Sequence, residues 1–211
     1  MNKKQRERLK QQDPITVDIT GVGHDGRGIA HHNGKIIFVD GALEGETVEA
    51  KINLVKSKYE EADTIKVITA SLNRVTPPCE HFGMCGGCSL QHIEPSAQIA
   101  LKQRILAEQF KHFGHLEPQQ WLAPLTHSQA GYRRKARFGV RFVIKKDSLL
   151  LGFREKGSNF LAELNRCVVM DARLGDSIMP LRHLINGLVG KDFIPQVEVA
   201  AGDDTVALIF R

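Results

Sequence analysis

Apolar and polar side chains alternate along several short stretches in the N-terminal third of the chain. The alternation begins over residues 15–19 and returns over 48–52. A period of two is typical of strands that bury one face. Between these stretches, Asn33-Gly34 separates two apolar runs, and Asn-Gly is a strong signal for a hairpin turn. With a last strand over 64–69, the pattern predicts a small closed barrel of the OB type over residues 13–72.

The rest of the chain mixes helical and strand periodicities. A helix is predicted over 95–113, because apolar residues recur there at helical spacing: Ile99, Leu106, Phe110 and Phe113. A second helix is expected from residue 176, followed by strands over 197–201 and 205–210. The predicted fold class is mainly β with an α+β central part. In this prediction the barrel is followed by a partial central α/β domain over 95–211, incomplete in this chain.

One predicted strand, over 132–142, combines an apolar face with a row of cations. Its even positions carry Ala136, Phe138, Val140 and Phe142, and its odd positions carry Arg133, Lys135, Arg137 and Arg141. Side chains on one face of a strand are spaced by about 6.6–6.8 Å, close to the phosphate repeat of an extended nucleic acid strand. Guanidinium groups also pair well with phosphate oxygens. The strand therefore favours RNA phosphate contacts, and a solvated face without a ligand is the alternative.

Composition limits the class of protein. Of 211 residues, 42% are hydrophobic and 25% are charged, which is ordinary for a globular protein and argues against wholesale disorder. No apolar run approaches the roughly 18 residues that a membrane-spanning helix needs. Residues 1–12 form a basic leader, expected to be flexible, which lacks the apolar core of a secretion signal. The net charge of +5 weakly favours a polyanionic partner, and we expect a cytoplasmic protein with no membrane partner.

The four cysteines are the strongest chemical signal in the chain. Cys79, Cys85 and Cys88 form a C-x5-C-x2-C run inside a predicted cluster-binding loop, 73–94, and Cys167 lies far downstream. Because cytosolic thiols stay reduced, metal ligation explains such a group better than disulfides do. Iron–sulfur clusters and zinc both accept four thiolates, although structural zinc usually takes two close pairs. The spacing favours an iron–sulfur cluster, with zinc or buried unligated cysteines as the alternatives.

The segment 77–92, PPCEHFGMCGGCSLQH, resembles the cluster motif of bacterial 23S rRNA uracil-C5 methyltransferases that carry a 4Fe-4S cluster. The resemblance implies that Cys79, Cys85, Cys88 and Cys167 hold this cluster. The strand-rich N-terminal segment resembles a TRAM domain, an RNA-binding barrel. The cationic strand resembles the RNA-facing strand of the same family, with Gly152-Phe153-Arg154 as its continuation. The residues expected to contact RNA are Arg27, Arg133, Arg134, Lys135, Arg137, Arg141 and Arg154.

The same resemblance implies an activity, the methylation of uracil C5 in 23S rRNA with S-adenosylmethionine as donor. This chemistry needs a cysteine nucleophile, a base and a bound donor. With all four cysteines assigned to the cluster no nucleophile remains, and no Gly-rich donor-binding turn follows the central segment. We therefore expect an N-terminal portion of the family's protein without catalytic residues. Its Rossmann-like methyltransferase domain, with the S-adenosylmethionine site, would be absent, and the chain would bind rRNA as a monomer without methylating it.

Two other functions stay open at this point. One is a zinc-stapled RNA-binding module without an enzymatic role, which metal analysis would separate from the cluster protein. The other is a small electron-transfer protein of ferredoxin type. Such a protein has little use for a cationic strand, so RNA binding that weakens with salt would argue against it.

Overall fold

The computed structural model describes residues 7–9 and 11–211 of the chain. The chain divides into two compact units. The first unit comprises Met1–Thr76 and Ser89–Pro124, and the second comprises Pro77–Cys88 and Leu125–Arg211. Within the described residues, no helix is long and apolar enough to cross a membrane.

The first unit contains a six-stranded sheet in the order β1-β5-β6-β4-β3-β2. Its strands are β1 (Ile15–Asp18), β2 (Gly21–Val22), β3 (Gly28–His32), β4 (Lys35–Asp40), β5 (Thr47–Val55) and β6 (Tyr59–Thr69). Strands β4 and β6 pair in parallel, and the other neighbours pair antiparallel. Strand β1 lies at one end of the sheet. Just after it, the Thr20 N–H donates to the carbonyl of Ile29 in β3 at 2.8 Å, so the chain is bound to β3 at this point.

The predicted alternation is what fills the core of the first unit. One face of β4 and β5 is buried through Ile37, Val39, Val48, Ala50 and Ile52. The predicted leader also contributes, because residues 7–9 are helical and Leu9 is buried in the same cluster. Residues 1–6 and 10 of that leader lie outside the described residues.

Strand β6 is longer than the pattern predicts, because it begins at Tyr59 rather than at residue 64. The added part contains Glu60, which is 7% exposed although it is charged. The Glu60 carboxylate lies 2.8 Å from Nδ1 of His32 on β3, so this buried position is occupied by a polar pair. Reading apolar residues alone therefore places the start of the strand too late.

Helix α1 (Pro95–Gln109) matches most of the helix predicted over 95–113, and a π-helical turn at Phe110–Gly114 follows it. The Glu94 side chain accepts from the Ala97 N–H at 3.0 Å, which caps the first turn. The predicted apolar face is not a buried one, since Leu106 is 43% and Phe113 84% exposed.

A buried carboxylate ties together two loops of the first unit. Glu46, 1% exposed, accepts hydrogen bonds from the backbone N–H groups of Leu43 and Ser71 at 2.8 and 3.1 Å. The Arg74 guanidinium binds the same carboxylate, with Nε at 2.5 Å. The loop before β5 and the segment after β6 are thereby held to one charged group.

The second unit contains a four-stranded sheet in the order β10-β9-β7-β8, antiparallel throughout. Its strands are β7 (Lys135–Val143), β8 (Ser148–Gly152), β9 (Gln196–Ala201) and β10 (Val206–Phe210). Between β8 and β9 lie helices α2 (Ala172–Gly175) and α3 (Ile178–Asn186), and 3-10 turns occupy Ile144–Lys146 and Lys191–Phe193. Phe138 and Val140 of β7 pack in one buried cluster with Leu151 of β8 and with Ile178 and Ile185 of α3.

The predicted partial α/β domain is therefore wrong as a description of the second half of the chain. An α/β arrangement needs parallel strands joined by helical crossovers. Here β7–β8 and β9–β10 are antiparallel pairs of consecutive strands, and the helices lie together in the one long connection between the pairs. The physical reason is the turn chemistry, because short loops can join only antiparallel neighbours.

Candidate metal centre and nucleic-acid interface

The cysteine-rich loop of the second unit is a series of tight turns. The Phe82 N–H donates to the Cys79 carbonyl at 3.0 Å, and the Cys85 N–H donates to the His81 carbonyl at 2.9 Å. The Gly87 N–H points at the Cys85 sulfur at 3.4 Å. Hydrogen bonds from backbone N–H groups to cysteine sulfur are a regular feature of iron–sulfur sites.

The loop is fixed to the segment that follows β8. The Gly86 N–H donates to the Arg154 carbonyl at 2.9 Å, and the Lys156 N–H donates to the Met84 carbonyl at 2.8 Å. A Cβ on Gly86 would lie 3.0 Å from the Arg154 oxygen, so a larger residue would have to displace one of the two backbones. The spacing of the cysteines singled out this loop but gave no indication of the segment after β8 against which Gly86 packs.

His81 anchors the loop at a second point. Its ring is 6% exposed, and its Nε2 accepts from the Asn165 N–H at 3.1 Å, two residues before Cys167. This contact joins the loop to the segment that carries the fourth cysteine. No motif of the sequence pointed to it, because the two partners are 84 residues apart.

Cys167 lies in a turn that begins at the end of this segment. Its N–H donates to the Gly175 carbonyl at 3.2 Å, and its carbonyl accepts from the Met170 N–H at 3.3 Å. Both Cys167 and Cys85 are partly buried and pack against the core cluster of the second unit.

The four thiols interact electrostatically with one another. Burial raises the pKa of Cys85 and of Cys167 above the ordinary value for a thiol, and the adjacent Cys79 and Cys88 raise the pKa of both further. The Gly87 N–H opposes this rise at Cys85, as the Val169 and Met170 N–H groups do at Cys167. All four cysteines are unpaired by disulfide bonds.

This donor set fits a cluster with four thiolate ligands. The chain offers four partly buried thiols, and backbone N–H groups lie at two of the sulfurs, which suits such a group. Within residues 7–9 and 11–211, however, no three Cys, His, Asp or Glu side chains are arranged as a metal site as they stand.

Arg133 lies beside this centre rather than on the cationic strand. Its N–H donates to the Val169 carbonyl at 2.8 Å, and its carbonyl accepts from the Asp171 N–H at 3.0 Å. Its positive charge acts to lower the pKa of Cys85, against the larger effect of burial. Arg133, which the sequence predicted to contact RNA, therefore lies close to the cysteines in the structure.

Strand β7 has the two faces that the sequence predicts. Phe138 and Val140 are buried, whereas Lys135, Arg137 and Arg141 are exposed. The row is less uniformly positive than predicted, because Glu198 of β9 lies opposite Arg137 and its carboxylate is 3.3 Å from that guanidinium. Glu198 also binds Arg211 at 2.8 Å.

The remaining predicted RNA contacts have varied surroundings. Arg134 is exposed and pairs with Asp203 at 2.7 Å. Arg154 is exposed in the second unit, where its carbonyl holds Gly86. Arg27 belongs to the first unit and lies between Asp25 at 2.7 Å and Glu61 at 3.2 Å, over the Phe38 ring.

Comparison with known proteins identifies parts of this arrangement. The TRAM domain family matches residues 10–65. A 23S rRNA (uracil(1939)-C(5))-methyltransferase RlmD from Alcanivorax borkumensis is 50% identical over 206 residues, which is 98% of this chain and 46% of that protein. The protein of the same name from Alkalilimnicola ehrlichii is 49% identical with the same coverage. The chain thus spans about half the length of these relatives.

The fold matches a solved methyltransferase. The tRNA (uracil-54, C5)-methyltransferase of Pyrococcus abyssi, solved with S-adenosyl-L-homocysteine, superposes with a TM-score of 0.63 at 20% identity. The match covers 92% of this chain and 45% of that one. The predicted fold class is wrong here as well, because it set the chain apart from a methyltransferase fold. The chain is therefore similar to the TRAM domain over residues 10–65 and, over nearly all of its length, to part of these 23S rRNA methyltransferases, and its fold is similar to part of the tRNA methyltransferase.

Proposed function

We propose that this chain recognises 23S rRNA within an S-adenosylmethionine-dependent uracil-C5 methyltransferase of the m5U1939 type. The observation that carries the proposal is 50% identity with a protein of that name over 98% of the chain. The match is long enough to include the TRAM domain, the cysteine loop and β7. Relatedness of this extent goes well beyond a shared fold.

The RNA-binding role rests on the cations of the two units. Lys135, Arg137 and Arg141 lie on the exposed face of β7, whose other face is anchored in the core. A strand held in this way presents its cations at fixed spacing, which suits a phosphate backbone. Arg134 and Arg154 extend this surface in the second unit, and Arg27 supplies a contact from the TRAM domain.

The four cysteines are proposed to hold a 4Fe-4S cluster. A bound cluster would link the loop 77–88 to the segment around Cys167, and its ligation would contribute directly to folding. Arg133 would balance part of the negative charge of the thiolates. With every thiol engaged, no cysteine of this chain acts as a nucleophile, and we assign none of its residues to catalysis or to the methyl donor.

Binding of a 23S rRNA fragment at increasing salt tests the RNA-binding role. We expect the logarithm of the association constant to fall linearly with the logarithm of salt concentration, as phosphate contacts require. Lys135→Gln is expected to reduce the slope by about 0.7–0.9, the effect of one lost phosphate contact. Arg166→Gln is the matched control, since Arg166 is exposed in the same unit but pairs with Asp176 at 2.6 Å.

Two results would contradict the proposal. The first is affinity that does not depend on salt, and the second is an equal change of slope in the two variants. Salt-dependent binding would also argue against the ferredoxin-type alternative, which has little use for a cationic strand.

A further inference from the structure

The second unit contains a cavity that the proposed function leaves unused. Its volume is about 640 Å³, and it opens between the cysteine loop, strands β7 and β8 and the segment 155–165. Pockets that bind small molecules commonly measure about 300–1,000 Å³, so the space suits one nucleotide.

The walls of the cavity are largely apolar and include an exposed aromatic ring. Phe160 is 66% exposed and Met84 is 47% exposed, although both side chains are large and hydrophobic. Val143, Leu150 and Leu161 complete this apolar lining. An exposed ring at the edge of an apolar cavity is the kind of surface on which nucleobases stack.

Three charged groups line the cavity, namely the carboxylates of Glu155 and Glu163 and the guanidinium of Arg141. Glu163 is bound by Arg182 at 2.8 Å, and Glu155 accepts from the Ser158 hydroxyl at 2.8 Å. Arg141 lines the cavity from the exposed face of β7, and it makes no salt bridge with any residue in the described part of the chain. Its guanidinium is therefore available for an anion.

The position of Arg141 connects the cavity to the row of cations. Lys135, Arg137 and Arg141 follow one another along the exposed face of β7, and Arg141 is the member that lines the cavity. A strand of RNA with its phosphates along this row would bring one nucleotide to the mouth of the cavity. The base would then face Phe160 while its phosphate stays near Arg141.

We propose that the cavity receives a single unpaired nucleotide of the bound RNA, with its base against Phe160 and its phosphate on Arg141. This inference rests on the proposed RNA-binding function. It adds a stacking site to the phosphate contacts, so that affinity depends on an aromatic side chain as well as on charge.

The test is the affinity of Phe160 variants for a single-stranded 23S rRNA fragment. Phe160→Ala is expected to weaken binding about five- to 150-fold, the effect of losing one stacked base. Phe160→Tyr keeps the ring and is expected to retain the affinity. Phe193→Ala is the matched control, because Phe193 is 86% exposed in the same unit but does not line the cavity.

Photocrosslinking supplies an independent measurement. RNA carrying 4-thiouridine is expected to crosslink to the peptide that contains Phe160, and Phe160→Ala should reduce that product. The cavity proposal is overturned if Phe160→Ala and Phe193→Ala bind equally and no crosslink maps to 155–165. Failure of the proposed function looks different, because the unmodified chain would then not bind RNA with salt dependence at all.

Discussion

Arg133 and Arg134 are adjacent in the chain, yet they occupy different environments. Arg133 is half-buried and bound through its backbone to Val169 and Asp171, near the cysteines. Arg134 is exposed and pairs with Asp203. The sequence pattern placed both in one RNA-binding group. Their partners lie more than thirty residues away in the chain, so strand periodicity carries no information about them.

Glu46 shows how hydrogen bonds can outweigh burial. Burial by itself raises the pKa of this carboxyl, but the bonds from Arg74, from the Leu43 N–H and from the Ser71 N–H outweigh it, so the pKa lies below the ordinary value. Because the pKa of the folded state is lowered, Glu46 contributes stability above its unfolded pKa. That contribution is lost as the pH falls through the folded pKa.

Replacing Glu46 by glutamine is expected to lower the free energy of unfolding at pH 7 by about 2–3 kcal/mol, because Arg74 loses a buried charged partner. Urea unfolding followed at pH 7 and at decreasing pH would measure this loss. The difference from the unmodified protein should shrink as the pH falls below the ordinary pKa of a glutamate carboxyl and through the lower pKa of the folded state, where the Glu46 carboxyl becomes protonated.

Glu44→Gln is the control for this prediction. Glu44 pairs with Arg104 at 2.6 Å, but both side chains are nearly half exposed. Its loss is expected to cost less than about 1 kcal/mol. Equal losses in the two variants, or a Glu46→Gln effect that does not change with pH, would disprove the role assigned to the buried pair.

At the scale of elements, the docking of the cysteine loop depends on how closely two backbones approach. The Gly86 N–H donates to the Arg154 carbonyl, and an added Cβ at Gly86 would lie only 3.0 Å from that oxygen. Gly190 has no atom within 4 Å of an added Cβ and a φ of −91°. Comparing alanine variants at the two glycines therefore distinguishes the effect of lost packing at Gly86 from the effect of reduced chain flexibility, which both variants share.

Gly86→Ala is expected to lower the free energy of unfolding of the second unit by about 1–3 kcal/mol, since the added methyl group displaces the loop from the Arg154 carbonyl. Gly190→Ala is expected to be neutral or to stabilise by up to about 1 kcal/mol, by restricting the unfolded chain. Urea titrations of both variants test this pair. A neutral Gly86→Ala would mean that the loop is not held by this contact.

Strand β7 illustrates how far a pattern reaches at this scale. Its alternation predicted the buried and the exposed face, because burial of one face imposes a period of two. The pattern did not reveal Glu198, which neutralises part of Arg137 from the neighbouring strand. Cross-strand partners are decided by register, and register is a property of the assembled sheet.

At the scale of the whole molecule, the cysteines belong to one unit although a segment of the other separates them in the chain. The loop Pro77–Cys88 and Cys167 both lie in the second unit, whereas Ser89–Pro124 belongs to the first. A cluster on these thiols would therefore stabilise the second unit and leave the sheet of the first unit unaffected.

Anaerobically purified protein is expected to contain about four iron atoms and four acid-labile sulfides per chain. Cys167→Ser should lose most of this content and should lose amide-exchange protection in β7 to β9, while β3 to β5 stay protected. Arg166→Gln, at the neighbouring position, should keep its iron. One zinc atom and no sulfide would instead support the zinc-stapled module, and unchanged protection in Cys167→Ser would contradict a stabilising role for the cluster.

The sequence by itself determined the local features of this protein. Alternating side chains placed most strands of the first sheet and both faces of β7, and the cysteine spacing singled out the loop, because these signals depend only on near neighbours in the chain. The tertiary structure decided the rest. It extended β6 through the Glu60–His32 pair, made the second sheet antiparallel, brought Arg133 to the thiols and opened the cavity beside Phe160. These outcomes depend on contacts between distant segments, which no local pattern encodes.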